Sequence, residues 1–320
     1  MKFTKEQKRI VKKILEYSIY AIVGYFIYSK LGGNLEQIRN VEIDYPYLLA
    51  ATLLFSTHNI WNGLNWDYLI ERSGEQTKLD QQMRVYLKSY LMRYVPGNVV
   101  GIMGRAILNK PYGIPMFKSL WGWFFENIVY LALGIFIGSY AVLKTQFASY
   151  SVLGLMVVAF VVGLFILLRN DLLERVFEGK IAKKLPEAAK KEATPLRLSP
   201  KVRIEMLGRY TLSWIIYSLS FVLVVSSVID LNALNIPSLI SVNALAYSAG
   251  YLALVTPSGA GVRESVMVFA LTNALGYSIE NAVVIALAAR IVFILGELTG
   301  FVGYYLYYFL MKRNGEELSI

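Results

Sequence analysis

Cysteine is absent from the 320 residues, and histidine occurs once, as His58. The first absence excludes disulfides and thiolate metal sites. The second leaves no basis for a His-based metal centre or a Ser-His-Asp triad, so no metal and no cofactor is expected. Charge is also scarce, at 17% of residues with 56% hydrophobic and a mean hydropathy of +0.48, whereas a soluble domain typically carries about 25% charged residues. Walker, HExxH and GxSxG motifs are missing, and the chain is read as not an enzyme. The apolar–polar alternation over about ten residues that a membrane β-barrel requires is missing too. No small-residue cleavage site follows the basic start, so no cleavable signal peptide is evident.

What the chain has instead is apolar runs of roughly 20 residues, enough to cross a bilayer as helices. The expected fold is an all-α polytopic membrane protein, one transmembrane domain over residues 1–320. It has about six full spans (14–31, 45–70, 119–143, 149–168, 208–229 and 279–311) and two broken helical elements. A basic arm, residues 1–13, precedes the first span, and residues 169–205 form a long loop with ten basic and six acidic residues.

The net charge of +10 does not point to nucleic acid, because the basic residues are distributed as membrane topology requires. With the N-terminus inside and both broken elements re-entrant, 25 of the 32 Lys and Arg are cytoplasmic. Lys30, Arg39 and Lys144 are external, and Arg93, Arg105, Arg263 and Arg290 are at membrane depth. That asymmetry follows the positive-inside rule. It predicts a multi-pass cell-membrane protein with both termini cytoplasmic.

The second broken element, residues 236–275, is interrupted at Thr-Pro-Ser-Gly-Ala-Gly-Val-Arg-Glu, residues 256–264. Pro257, Gly259 and Gly261 are its hinges, because proline removes a backbone donor and glycine lets the chain turn tightly. The first, residues 85–108, breaks at Pro96 and Gly97 and continues through Gly101 and Gly104 to Arg105. Irregular backbone at membrane depth is tolerated only where it is buried in protein or lines a wet cavity. Residues 45–143 and 206–311 each read span, broken element, span, in opposite orientation. That is an inverted-topology repeat, and paired broken segments mark a transporter's binding site. The alternative, in which residues 236–275 cross twice as a helical hairpin, is opposed by the short return leg.

Ionisable groups at membrane depth are functional by default. Here they are Arg93, Arg105, Arg263 and Arg290 against Glu126, Glu264 and Glu297, which leaves one spare positive charge. Arginine's planar fork suits phosphate, and the helix start after Gly259 and Gly261 offers free N–H groups to an anion. Neighbours on a helix diverge by about 100°, so Arg263 and Glu264 are poor partners for each other. Arg263 is free for a headgroup, and Glu264 needs another cation, Arg290 or an arginine of the first broken element. In the second span His58, Asn59, Asn62 and Asn65 form a polar face. It serves either interhelical hydrogen bonding or a cavity lining.

The stretches VPGNVVGIMGRAIL, FFEN, TPSGAGVRE and AARIVFILGELTG resemble the transmembrane region of lysylphosphatidylglycerol synthases, the multiple-peptide-resistance flippase domain. The resemblance covers roughly residues 10–311 and is closest to stand-alone members without a synthase domain. Pro257, Gly259, Gly261 and Glu264 match the second family motif, with Ser258 where a glycine is usual. Pro96, Gly104 and Arg105 match the first, with Met103 where many members carry Glu. Glu126 matches a family Glu, while Asn127 and Tyr130 replace an Arg and an Asp that often accompany it. The resemblance implies translocation of an anionic phospholipid or a polyprenyl-phosphate-linked lipid between leaflets. The expected partners are therefore membrane lipids, with a homo-oligomer or a lipid-modifying enzyme as protein partner. The rival readings are a membrane-embedded enzyme acting on a lipid phosphate and a non-transporting scaffold.

Overall fold

The computed structural model describes residues 40–92, 98–144, 150–168, 197–231, 235–253, 259 and 261–313. The basic arm, the first expected span, Arg93, Pro96, Gly97, Pro257 and most of the 169–205 loop lie outside the described residues. Those described hold nine α-helices and no strand. In chain order these are α1 (Tyr45–Arg72), α2 (Leu79–Leu91), α3 (Asn98–Asn109), α4 (Met116–Leu143), α5 (Tyr150–Leu168), α6 (Pro200–Ser226), α7 (Ile236–Leu252), α8 (Val262–Leu275) and α9 (Ile279–Arg313).

Helix starts follow local chemistry. Proline occupies the first turn of α1, α6 and α7, where its missing donor costs nothing. Ser199 caps α6 by accepting from the Val202 N–H at 3.3 Å. Two starts differ from the sequence expectation. α2 begins at Leu79, ahead of the broken element expected from residue 85, because Met83, Val85, Tyr86 and Leu87 form a buried face while Arg84 pairs with Asp80 on the other. α6 begins at Pro200 rather than 208, because Val202 and Met206 already pack in the core.

Helices α4, α6 and α9 have the length and apolar composition to cross a membrane. α1, at 28 residues, matches them in length but is more polar. Its polar side chains face the bundle: His58, Asn59, Asn62 and Asn65 are all at most 3% exposed. The outer surface carries Leu49, Leu53, Ile215, Leu219, Leu295 and Leu306 exposed, the pattern of a protein solvated by lipid. The fold is that of an all-α, multi-pass membrane protein.

The other five helices are shorter. At 1.5 Å per residue, α2, α3 and α8 span roughly 20, 18 and 21 Å, against roughly 30 Å for a hydrocarbon core. α2 packs on α3, and α7 on α8, so each broken element is a hairpin of short helices. The second hairpin closes at glycine. Gly259 has φ +69°, and a Cβ there would lie 2.7 Å from the Gly250 carbonyl oxygen, so only glycine fits.

α1 is central and touches α2, α4, α6 and α9. Ser220 donates to the Ala51 carbonyl at 2.8 Å and Ser56 to the Gly296 carbonyl at 3.0 Å, joining α1 to α6 and α9. Gly296 and Gly300 both face α1, where a Cβ on Gly296 would meet Phe55 at 2.8 Å. α4 packs on α7 just as closely. Gly138 sits against the Leu245 backbone, and Ser241 donates to the Ile137 carbonyl at 2.7 Å.

Candidate functional site

Each hairpin is tied to the helix after it by one ion pair. In the first half Arg105 of α3 meets Glu126 of α4 through two hydrogen bonds, 2.7 and 3.0 Å long. A third guanidinium contact goes to Ser89 Oγ at 3.2 Å. The guanidinium lies between the Trp66 and Tyr86 rings, 4.5 and 4.4 Å from their centroids. Arg105 is 3% and Glu126 7% exposed. The pair is therefore bidentate, dry and stacked, the geometry in which arginine is strongest.

In the second half Glu264 of α8 meets Arg290 of α9 at 3.4 Å. Glu264 also accepts from the Gly261 N–H at 2.6 Å, which caps α8 at its positive end. The carboxylate thus finds Arg290 as its cation, one of the partners the helix geometry predicts. This pair is looser and wetter than the first, with side chains 21% and 16% exposed. The polarity is reversed between the halves: hairpin arginine to helix glutamate in one, hairpin glutamate to helix arginine in the other.

Arg263 behaves differently. Its guanidinium donates to the Tyr217 hydroxyl and lies 4.6 Å from the Phe293 ring centroid and 5.6 Å from that of Tyr217. No carboxylate among the described residues lies within ion-pair distance of it, and it is only partly buried. Of its five N–H donors, one has an acceptor among the described residues. It is a fork at the first turn of a short helix, backed by aromatic faces, with its remaining donors available.

Between these charges runs a polar and aromatic seam. His58 Nε2 is 2.9 Å from the Tyr130 hydroxyl and 3.0 Å from Asn62 Nδ2. Ser213 donates to Asn62 Oδ1 at 2.7 Å and contacts Tyr130. Tyr210 reaches Glu126 at 3.4 Å from its ring position beside Tyr130. On the other side His58 stacks on Tyr217, the residue that holds Arg263, at 5.3 Å between centroids. The seam thus links Arg105–Glu126 to Arg263 through the middle of the bundle.

The expected residues fall into groups. Arg105 and Glu126 bind each other, as do Glu264 and Arg290. His58 and Asn62 belong to the seam. Asn59 bonds back to the Phe55 carbonyl at 3.2 Å, and Asn65 accepts from Arg209 at 3.1 Å. Glu297 is 2% exposed on α9, two turns beyond Arg290. Gly104 lies against Ser89 and Met92, and Gly101 sits within α3. Sequence reasoning missed Tyr130, Tyr210, Ser213, Tyr217 and Phe293. A signal existed: Tyr210, Ser213 and Tyr217 recur at helical spacing in a chain with 23 tyrosines. No grouping of His, Asp and Glu that could hold a metal ion occurs among the described residues.

Comparison of the sequence with curated proteins gives no match. The family model for the lysylphosphatidylglycerol synthase TM region matches residues 13–296, which covers both hairpins, both ion pairs and Arg263. The chain belongs to the lysylphosphatidylglycerol synthase transmembrane family, a lineage of lipid-related membrane domains.

Proposed function

We propose that this protein is a lipid flippase, moving a phosphate-bearing lipid between leaflets along the seam between its two halves. The cargo is an anionic phospholipid or a polyprenyl-phosphate-linked lipid. The observation that carries this reading is Arg263, a guanidinium on aromatic faces with no carboxylate partner among the described residues, at the broken end of α8. The phosphate binds that fork and the N–H groups of the first turn, and the looser Glu264–Arg290 pair beside it opens and closes. The chain itself carries out no bond-making step.

The packing partners support this reading, because they pair off as an inverted repeat requires. Exchanging α1 with α6, α2 with α7, α3 with α8 and α4 with α9 maps most of the packing partners onto one another. The pair α1–α2 becomes α6–α7, α3–α4 becomes α8–α9, and α4–α7 becomes α9–α2. Glu126 lies ten residues beyond the start of α4 and Arg290 eleven beyond the start of α9, so the two ion pairs are counterparts. Repeats in opposite orientation give alternating access around a fixed site. In this arrangement both termini are cytoplasmic and the protein resides in the cell membrane, as the basic residues require.

Native mass spectrometry in detergent with added phosphatidylglycerol tests the site. Arg263→Ala is expected to weaken binding by about tenfold, the worth of one charge-assisted contact. Arg197→Ala, outside the helices, is expected to leave it unchanged. Equal losses in both variants would reduce the effect to nonspecific attraction and remove the site.

A further inference from the structure

A second arginine shares the features of Arg263, on the outer surface of the bundle. Trp61, Asn65, Tyr68 and Arg72 recur at spacings of four, three and four residues, so they form one stripe along α1. It faces α6, where Trp61 Nε1 donates to the Arg209 carbonyl at 3.0 Å and Tyr68 donates to Glu205. The Arg209 guanidinium lies 4.2 Å from the Tyr68 ring centroid and 5.3 Å from that of Trp61. Its one acceptor among the described residues is Asn65 Oδ1, at 3.1 Å. No carboxylate among the described residues lies within ion-pair distance, and Arg209 is partly buried. A partly buried charge with no carboxylate at ion-pair distance is costly, and four of its donors have no acceptor among the described residues.

The surroundings fit a lipid. Arg209 stands at the start of the apolar part of α6, about 13 Å from the helix start. Arg72 lies over the far part of the same stripe, 5.0 Å from the Tyr68 ring, and Lys201 pairs loosely with Glu205 at 4.0 Å. The groove therefore holds three cations against Glu205, while Glu71 points about 100° away around α1. A Cβ on Gly208 would meet nothing, so the groove is open beside Arg209. Deeper along it, Leu212, Ile215 and Leu219 of α6 and Leu53 of α1 are exposed.

We propose that the groove between α1 and α6 is a docking site for an anionic phospholipid, with the phosphate on Arg209 and the acyl chains along Leu212, Ile215 and Leu53. The net positive charge selects a lipid without a headgroup cation, and the aromatic pair Trp61 and Tyr68 holds the glycerol region at the interface. The site is distinct from Arg263: Tyr217, which holds that residue, lies eight residues further along α6, about 12 Å away.

The test is phosphatidylglycerol binding by native mass spectrometry in the Arg263→Ala background, which removes the interior site. Phosphatidylglycerol is expected to bind this variant at least about tenfold more tightly than phosphatidylcholine. Adding Arg209→Gln should weaken phosphatidylglycerol binding about tenfold, and Arg209→Lys should weaken it less, because lysine keeps the charge and loses the fork. Exposed Arg72→Gln, which leaves the core untouched, should weaken it about threefold and guards against a folding defect at Arg209. Equal affinity for phosphatidylcholine, or unchanged phosphatidylglycerol binding in both the Arg209→Gln and Arg72→Gln proteins, would overturn the proposal. Loss of all phosphatidylglycerol selectivity on Arg263→Ala, with none left for Arg209→Gln to remove, would overturn the groove and leave the interior site standing by itself.

Discussion

Replacing Arg105 with alanine is expected to destabilise the protein by about 3–5 kcal/mol, the usual cost of removing one partner from a buried ion pair. Glu126 is then left 7% exposed with Tyr210 at 3.4 Å in place of two guanidinium bonds. The stacking of the guanidinium between Trp66 and Tyr86 is lost with the charge. Arg105→Met with Glu126→Leu should cost clearly less than either single change, because two apolar side chains of similar volume leave no charge unpaired. Thermal melts of the purified proteins in one detergent compare them. A double variant that melts lower than Arg105→Ala would mean that the pair contributes more than mutual neutralisation.

Glu264→Gln is expected to leave the fold intact and to slow lipid movement by about tenfold or more. Glutamine still accepts from the Gly261 N–H, so the start of α8 stays capped. What disappears is the charge facing Arg290 at 3.4 Å. That pair is partly wet and forms one arm of the turn next to Arg263, so its loss costs little stability. Arg290 then faces the site without the Glu264 carboxylate and holds the phosphate where it should be released. Translocation at the parental rate would detach Glu264 from transport. A large fall in the melting midpoint would make it a bundle-locking residue like Glu126.

These two variants show how far the sequence reaches. The broken elements were legible because proline and glycine inside apolar runs leave few other structures, and Gly259 at φ +69° with Gly250 beneath it shows why no other residue serves. Adjacent residues on a helix diverge, which narrowed the partner of Glu264 to Arg290 or an arginine of the first broken element, and packing selects Arg290. The partnership of Arg105 with Glu126 was not legible, because a list of buried charges does not say which helices touch. Of the four arginines, packing sets Arg105 on Glu126, Arg290 on Glu264 and Arg263 on Tyr217, while Arg93 lies outside the described residues. Tyrosine escaped notice for a different reason. On apolar helices it reads as core, and its role emerges only where Tyr217 and Tyr130 meet His58 and Arg263 across helix boundaries. α2 was hidden by composition, since its exposed face is charged and its buried face is short.

The asymmetry of the two ion pairs has a mechanical meaning. The first is bidentate, stacked between aromatic rings and dry, and fixes α3 to α4. The second is single, longer and partly solvated. On the flippase reading proposed above, Arg105–Glu126 serves as the frame and Glu264–Arg290 as the contact that moves.

Movement of lipid between leaflets is the central claim, and one measurement reaches it directly. Purified protein is reconstituted into phosphatidylcholine vesicles with a trace of fluorescent phosphatidylglycerol, and an impermeant reductant bleaches the outer leaflet, with and without an imposed proton gradient. A fluorescent polyprenyl phosphate takes the place of phosphatidylglycerol in a parallel series. The account predicts that the inner-leaflet pool of at least one probe becomes accessible faster than in protein-free vesicles. It also predicts that Arg263→Ala returns the rate to the protein-free value while its melt stays parental. Rates equal to protein-free vesicles for both probes under every gradient, from protein that melts as a folded species, would contradict it.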